Sequence, residues 1–600
     1  MSPAPPTRLN RSLLLGFWAV VALAIALRTM LGADRQALIA DTDDAMRLAI
    51  VGDLLGGQGW YDHMQYRLNT PFGAEMHWSR LIDLPIAGLI AAFRPFFGDN
   101  AAVAAAYVWP LLLLLVLLWL STRLTLRLVG PEGGLAALAL PVLAPAVIAE
   151  FSPGRFDHHG IQILLALAMA WGTVEALRRP RWAVLAGLAA ATALAIGAES
   201  VPSVAAAILC FGMLWVVVPS RADALRLFGI SFALGTLGHL AVAWPPERWL
   251  DPACDAISFT YAALAACVGA AFVVLSILPL ARANFVARLA AGGLMGGGIL
   301  AGFLIAFPHC VAGPYAGLDP WLAQNWAAHI VESRPVWVSI LAEPELTLAI
   351  VVPPLIALVV IAVRLRNPEM RGEWLIYGLF LAVNVVVTLV LLRGGRIADA
   401  VAVPALAAMI AAARAWYMAR RGPAGVTVLL GSWLVSAGIA IMLMAAAVTM
   451  SLGEQETMAA KAGARTSVQS CLARESFTDL AALPPERIMA PVDLGAHLLA
   501  FTPHAVVGAP YVRGNPRDQQ GVRDTFAFFN EPISEARRIL DERGIGLVVI
   551  CPQMAEITGL GESADDSFVR LIAEDRLPDW LAEQSIPASP LRIYSVLPRP

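Results

Sequence analysis

The chain has 600 residues, of which 58% are hydrophobic and only 14% charged, with a mean hydropathy of +0.69. A soluble domain carries about a quarter charged residues, so an ordinary soluble enzyme is excluded and the chain is read as a membrane protein. The net charge of −3 and an isoelectric point near 6.3 offer no basic surface, which sets nucleic acid aside as a partner.

Apolar runs of roughly 20 residues, long enough to cross hydrocarbon as helices, are read in chain order. They begin at Leu13, Ala101, Leu135, Ile161, Trp182, Val201 and Leu227, then at Ser258, Leu289, Leu346, Leu375, Ala398 and Thr427. About thirteen spans predict a mainly α, polytopic membrane fold. The first run lacks a small-residue cleavage site, so it is read as an anchor and not a removed signal peptide. Short loops on one side hold Arg8 and Arg11, Arg123 and Arg127, Arg178, Arg179 and Arg181, and further arginines through Arg421. By the positive-inside rule that side is cytoplasmic. An odd number of crossings of a bacterial inner membrane then leaves the N-terminus inside and everything after about Met450 outside.

Two domains are expected, a membrane domain over 1–450 and an exported α/β domain over 451–600. In the latter, Arg487–Ala490 and Gly546–Ile550 have the character of short buried strands, and Glu535–Arg543 that of a helix. Two long insertions, 32–85 and 308–344, fall on the outer side. Loops of that length without regular structure are usually functional, although solvated connectors are the alternative. Outer positions of Cys254, Cys310, Cys471 and Cys551 predict bridges Cys254–Cys310 and Cys471–Cys551 in an oxidising compartment, against four unrelated thiols.

The first insertion opens with Asp41-Thr42-Asp43-Asp44-Ala45-Met46-Arg47. A helix would set Asp41, Asp44 and Arg47 along one face. Three carboxylates in four residues repel one another, and Arg47 or a divalent cation would offset that repulsion; a solvated acidic turn is the alternative. A second cluster, Gly154-Arg155-Phe156-Asp157-His158-His159-Gly160, stands at the same rim. Carboxylate with imidazole suits Mn, Fe or Zn better than Mg alone, whereas a helix N-cap at Asp157 would explain that residue without a metal. Glu332 lies in the second insertion. Glu199, Arg393 and Arg396 end outer spans, where charge is costly and marks function, though Arg393 is equally explained by snorkelling. An outer arginine can meet a lipid phosphate through paired hydrogen bonds. Trp78 and Arg80 offer stacking and hydrogen bonds suited to a sugar, or plain packing, and His504 sits in a Gly/Pro-punctuated loop region that includes Gly508–Asn515.

At these residues the sequence resembles the catalytic subunit of oligosaccharyltransferase, in the GT-C class of polyprenyl-phosphate-dependent membrane glycosyltransferases. Asp41 with Arg47 six positions on, followed by Gly59-Trp60-Tyr61 and Tyr66–Pro71, is similar to that family's first-loop motif. Ser152, Gly154, Phe156, Asp157 and Gly160, with His159 completing an Asp-x-His form, resemble its second motif. Val331-Glu332-Ser333 resembles its glutamate motif, and Arg393 or Arg396 its late-span arginine. The family's aromatic Trp-Trp-Asp-Tyr-Gly motif is matched only by Pro491-Val492-Asp493-Leu494-Gly495, which lacks every aromatic and leaves the acceptor open.

The resemblance implies transfer of a sugar from a polyprenyl phosphate or diphosphate carrier to a glycan, lipid or protein hydroxyl at the outer face. It implies a divalent metal, Mn or Mg, held by Asp41, Asp157 and His159. Asp41, Asp43 or Asp44 would orient or deprotonate the acceptor, with Glu332 closing over it. Arg47, His158, Arg393, Arg396, Trp78, Arg80 and His504 would bind substrate. The alternative reading is a transporter or flippase of a lipid-linked glycan, which binds the same phosphate and breaks no bond.

Overall fold

A computed structural model describes residues 10–32, 37–279, 284–313, 317–330, 333–451, 463, 466–512, 516–558, 563–584 and 589–598. The chain is mainly helical, and each expected apolar run is a helix or a helix pair. Among the described residues, 9 helices are long and apolar enough to cross a membrane, and up to 11 if each of two bent pairs is one span. The bent pairs are Pro131–Val142 with Pro145–Phe151 and Pro423–Ser436 with Gly438–Ser451. The count of about thirteen is therefore not reached on length and composition. Trp182–Ile196 has only 15 residues, about 22 Å of helix against roughly 30 Å of hydrocarbon, and His159–Ala176 carries His159, Gln162 and Glu175.

The first insertion folds into the helix Thr42–Leu55, a small antiparallel hairpin of β1 (Met64–Gln65) and β2 (Ala74–Glu75), and the start of the helix Arg80–Phe97. The C-terminal region holds a five-stranded sheet made of β3 (Arg487–Met489), β4 (Ala505–Val506), β5 (Leu547–Ile550), β6 (Leu581–Glu583) and β7 (Arg592–Val596), in the order β4-β3-β5-β7-β6. Strand β3 runs parallel to β4 and β5, and β7 antiparallel to β5 and β6. All four residues of β5 are buried, which explains why its sequence is a continuous apolar run rather than an alternating one. The expected helix is present as Ile533–Arg543.

One apolar core runs through the membrane helices. A second is shared between the first insertion and the C-terminal region, joining Met46, Ile50, Trp78 and Phe156 to Leu494, Leu498, Val506 and Tyr511. Polar bonds reinforce this junction. The Thr70 amide donates to the Val506 carbonyl (3.0 Å), and the Val506 amide to that of Arg67 (2.7 Å). The Arg67 guanidinium donates to the carbonyls of Thr502 (2.8 Å) and Leu499 (2.9 Å). Buried Arg543 pairs with Asp524 (2.7 Å) and donates to the Thr70 carbonyl (2.7 Å). Both expected disulfides, Cys254–Cys310 and Cys471–Cys551, are formed.

Arg543→Met removes the cation paired with Asp524 and the donor to the Thr70 carbonyl. The expected result is a loss of about 3 kcal/mol, measured as a lower melting temperature and faster proteolytic release of the C-terminal region.

Candidate active site

The three clustered aspartates diverge because the helix begins between them. Asp41 is its N-cap, accepting from the Asp43 amide at 2.9 Å, the usual work of an aspartate where first-turn amides lack partners. Asp44 points inward, 1% exposed, and its Oδ1 accepts from the amides of Phe156 (2.5 Å) and Asp157 (2.8 Å). It thereby fastens the 152–158 loop to the first insertion. Gly154 makes the close approach possible, since at φ +98° a Cβ would lie 1.8 Å from the Leu38 carbonyl oxygen. Asp43 alone of the three faces Tyr511, whose hydroxyl donates to its Oδ1 at 3.0 Å.

Arg155 sits among four carboxylates. One guanidinium nitrogen lies 2.6 Å from Asp41 and 3.0 Å from Asp44; the other is 2.8 Å from Glu150 and also bonds Asp157. Burial opposes its charge, but these four neighbours outweigh that and hold it firmly protonated. For Asp41, burial acts upward, yet the Arg155 charge and hydrogen bond bring its pKa down to about 2. Burial and then the Asp41 charge push Asp43 up to about 7, and burial also raises Asp44. One aspartate thus stays ionised while its neighbour holds a proton near neutrality.

The opposite wall is formed by His158 and His159, which open the helix His159–Ala176, and by Glu199. Glu199 lies 3.8 Å from His158 Nε2 and 3.4 Å from His159 Nδ1. Arg393 pairs with Glu199 (2.5 Å) and donates to Ser333 Oγ (2.7 Å), while Arg396 lies 3.2 Å from Glu150. Ligand atoms of Asp43, Asp157 and His159 all lie within 4.8 Å of one another, as do those of His158, His159 and Glu199.

Asp41, Asp43, Trp78, His158, His159, Glu199, Arg393 and Arg396 line one cavity of about 2370 Å³. From this polar end it continues between membrane helices as an apolar arm bounded by Leu209, Val268, Phe272, Gly292, Gly296 and Leu300. Asp493, in the segment similar to the acceptor motif, also lines it, backed by buried Glu556, whose Oε1 accepts from the Asp493 amide at 3.3 Å.

Several expected residues stand elsewhere. Arg47 is not on the Asp41–Asp44 face: it is fully buried, bonded to Asp83 at 2.7 Å, and 4.3 Å from the Trp78 ring. Arg80 is buried beside the same Asp83 and donates to the Asp62 carbonyl. These two arginines fix the first insertion instead of meeting substrate. His504 is likewise no substrate residue, since its ring bonds the Glu486 amide and the Leu480 carbonyl inside the C-terminal region. Asp44 fastens a loop and does not line the cavity. Trp78 is 6% exposed and mostly packing, with one side at the cavity. Glu332 lies outside the described residues. Arg155 and Glu150 were not assigned roles from sequence, and Tyr511 was read only as part of a loop, Gly508–Asn515, that could select the acceptor; for Arg155 the signal was a lone basic residue within two positions of Asp157 and five of Glu150.

Residues 45–237 match the family model for oligosaccharyl transferase STT3, N-terminal. No curated protein matches the chain. Among solved structures, the archaeal oligosaccharyltransferase AglB from Archaeoglobus fulgidus, in complex with an inhibitory peptide and a dolichol-phosphate, is similar with a TM-score of 0.64 and 13% identity, covering 96% of this chain and 73% of that one. The Archaeoglobus fulgidus oligosaccharyltransferase tethered to an acceptor peptide containing the NVT sequon gives 0.62 and 14%, covering 97% and 74%. Its complex with Zn and sulfate gives 0.62 and 11%, covering 96% and 72%.

Burial, and then the Asp493 charge, push the Glu556 carboxyl up to about 7 from its ordinary 4.5. The folded state therefore holds this proton more tightly than the unfolded chain, and ionisation costs stability increasingly between those two values. Glu556→Gln is expected to match wild type in melting temperature below about pH 4.5 and to gain up to about 3 kcal/mol by pH 7, as thermal unfolding across pH would show. The amino-terminal part of the chain is thus similar to the STT3 family, and the fold is similar to that of the archaeal oligosaccharyltransferase.

Proposed function

We propose that the protein transfers a sugar from a polyprenyl phosphate or diphosphate carrier to a hydroxyl acceptor at the outer face of a bacterial inner membrane. The observation that carries this reading is the shape of the cavity, in which acids, imidazoles and two arginines stand at one end and an apolar arm between membrane helices at the other. A lipid-linked donor has the same division, with a charged phosphate and sugar joined to a hydrocarbon tail. The similar archaeal enzyme is described with a dolichol-phosphate bound.

Arg393 and Arg396 are assigned the donor phosphate, for which planar guanidinium donors are suited. The acceptor oxygen attacks the anomeric carbon, the bond from that carbon to the phosphate oxygen breaks, and the phosphate leaves with the electron pair. Asp43 is the carboxylate assigned to orient the acceptor hydroxyl, because it lines the cavity and is not paired with Arg155. Asp41, held ionised by Arg155, is a weaker base and keeps the cluster charged. The acceptor remains a glycan, lipid or protein hydroxyl, because the segment at Asp493 lacks the aromatics of the sequon-reading motif.

A divalent cation fits the donor set. Two carboxylates and an imidazole, at Asp43, Asp157 and His159, place ligand atoms within 4.8 Å of one another, the mixed oxygen and nitrogen set that suits Mn or Zn. This replaces Asp41 with Asp43 in the expected trio, since the mutually close ligand atoms belong to Asp43, Asp157 and His159. Such a cation would stabilise the charge that develops on the leaving phosphate. The likeness to a structure holding Zn and sulfate is consistent with that assignment.

The test is transfer of a labelled sugar from undecaprenyl phosphate by purified protein in lipid discs with Mn²⁺. Label is expected to move to acceptor in a membrane extract, to stop on chelation, and to be lost in Asp157→Asn. Arg396→Ala is expected to lower kcat about 100-fold. Full activity of Asp157→Asn would remove the proposed site. Translocation of the intact donor without transfer would favour a transporter.

A further inference from the structure

Tyr511 belongs to the C-terminal region, yet its hydroxyl donates to Oδ1 of Asp43 in the first insertion, 3.0 Å away. Its ring meets Trp78 edge-on, with centroids 5.2 Å apart and planes at 77°. Trp78 is fixed on its own account by the Arg47 guanidinium, 4.3 Å from the ring, and Arg47 is tied to Asp83. The phenol is 8% exposed, so it has little freedom to leave this seat.

The backbone carrying Tyr511 is held as closely. The Val507 amide donates to the Ile488 carbonyl in β3, and the Tyr511 amide to that of Ala509. Gly495, in the helix Val492–Phe501, lets this segment lie against the helix, because a Cβ there would stand 2.0 Å from the Gly508 carbonyl oxygen. The same helix packs on Thr42–Leu55, and His497 Nε2 lies 3.0 Å from the Ile39 carbonyl oxygen. Sheet, helix and loop thus transmit the placement of the C-terminal region to one carboxylate.

We propose that Tyr511 is a positioning residue that sets the orientation of the Asp43 carboxylate, so that the catalytic centre is complete only when the C-terminal region is docked on the first insertion. This rests on the transferase reading of Asp43. A carboxylate free to rotate about its side-chain torsions spends little time in a productive geometry, and misplacement of a reacting group lowers turnover steeply. With one oxygen held by the phenol, the other is left for the cation and the acceptor beside it.

Tyr511→Phe keeps the ring on Trp78 and removes only the hydroxyl. In full-length protein assayed with labelled undecaprenyl phosphate-linked sugar, the variant is expected to lower kcat about tenfold or more. KM for the donor and the melting temperature should stay close to wild type. Carbodiimide labelling of Asp43, read by peptide mass spectrometry, is expected to quicken several-fold in the variant because the carboxylate is released. A packing role alone would shift the melting temperature and leave kcat and labelling unchanged, and that pattern overturns the inference. A wild-type protein that transfers no sugar would sink the transferase reading, and the labelling would still decide the role of Tyr511.

Discussion

The structure of the site depends on one guanidinium. Arg155 brings Asp41 and Asp44 from the first insertion together with Glu150 and Asp157 from the loop before the helix His159–Ala176. Without a positive charge between them, four carboxylates drawn into a largely buried space would repel one another and take up protons. The pairing joins segments more than a hundred residues apart and sets which acids remain available. Asp41 is committed to Arg155 and Asp44 to two backbone amides, whereas Asp43 is left facing the cavity.

From that arrangement the chemistry follows by division of labour. Arg393 and Arg396 bring two further positive charges to the polar end, held in place by Glu199 and Glu150, so that both guanidinium groups are already oriented. The imidazoles of His158 and His159 lie between these arginines and the aspartates. The apolar arm begins where the charges end, and its wall on the helix Phe285–Ala306 is rich in glycine, with no neighbour within 4 Å of a Cβ built at Gly293, Gly296 or Gly297. Such a wall leaves room for a hydrocarbon chain without building a specific shape for it.

Much of this was legible in the sequence, for physical reasons that differ by residue. Hydrophobic runs reveal membrane helices because hydrocarbon demands them, and every expected run became a helix or helix pair. Their number was less legible, since helices such as Trp182–Ile196 are too short to decide crossing by length. Asp157 and His159 were recognisable from adjacent donor types, and the disulfides from the placement of four cysteines. Arg47 was misread because helical spacing to Asp41 and Asp44 suggested a local partner, and Arg80 because its place beside Trp78 suggested a sugar site, while both pair with Asp83. His504 lay in a loop that carries both packing and cavity residues, and the cavity is reached further on, at Pro510, Tyr511 and Val512. Long-range contacts of that kind leave no local periodicity. Arg155 was hidden by the abundance of acids around it, any of which satisfies it on paper.

The central claim is that Asp43, Asp157 and His159 form one cation pocket between the first insertion and the 152–158 loop. Pulsed electron–nuclear resonance on the full-length protein loaded with one Mn²⁺ tests it most directly. The account expects a single bound ion with a nitrogen coupling from imidazole that disappears in His159→Gln, and bound ion that is lost in Asp157→Asn. Mn²⁺ that binds with no nitrogen coupling, or that binds equally well without Asp157, would contradict it.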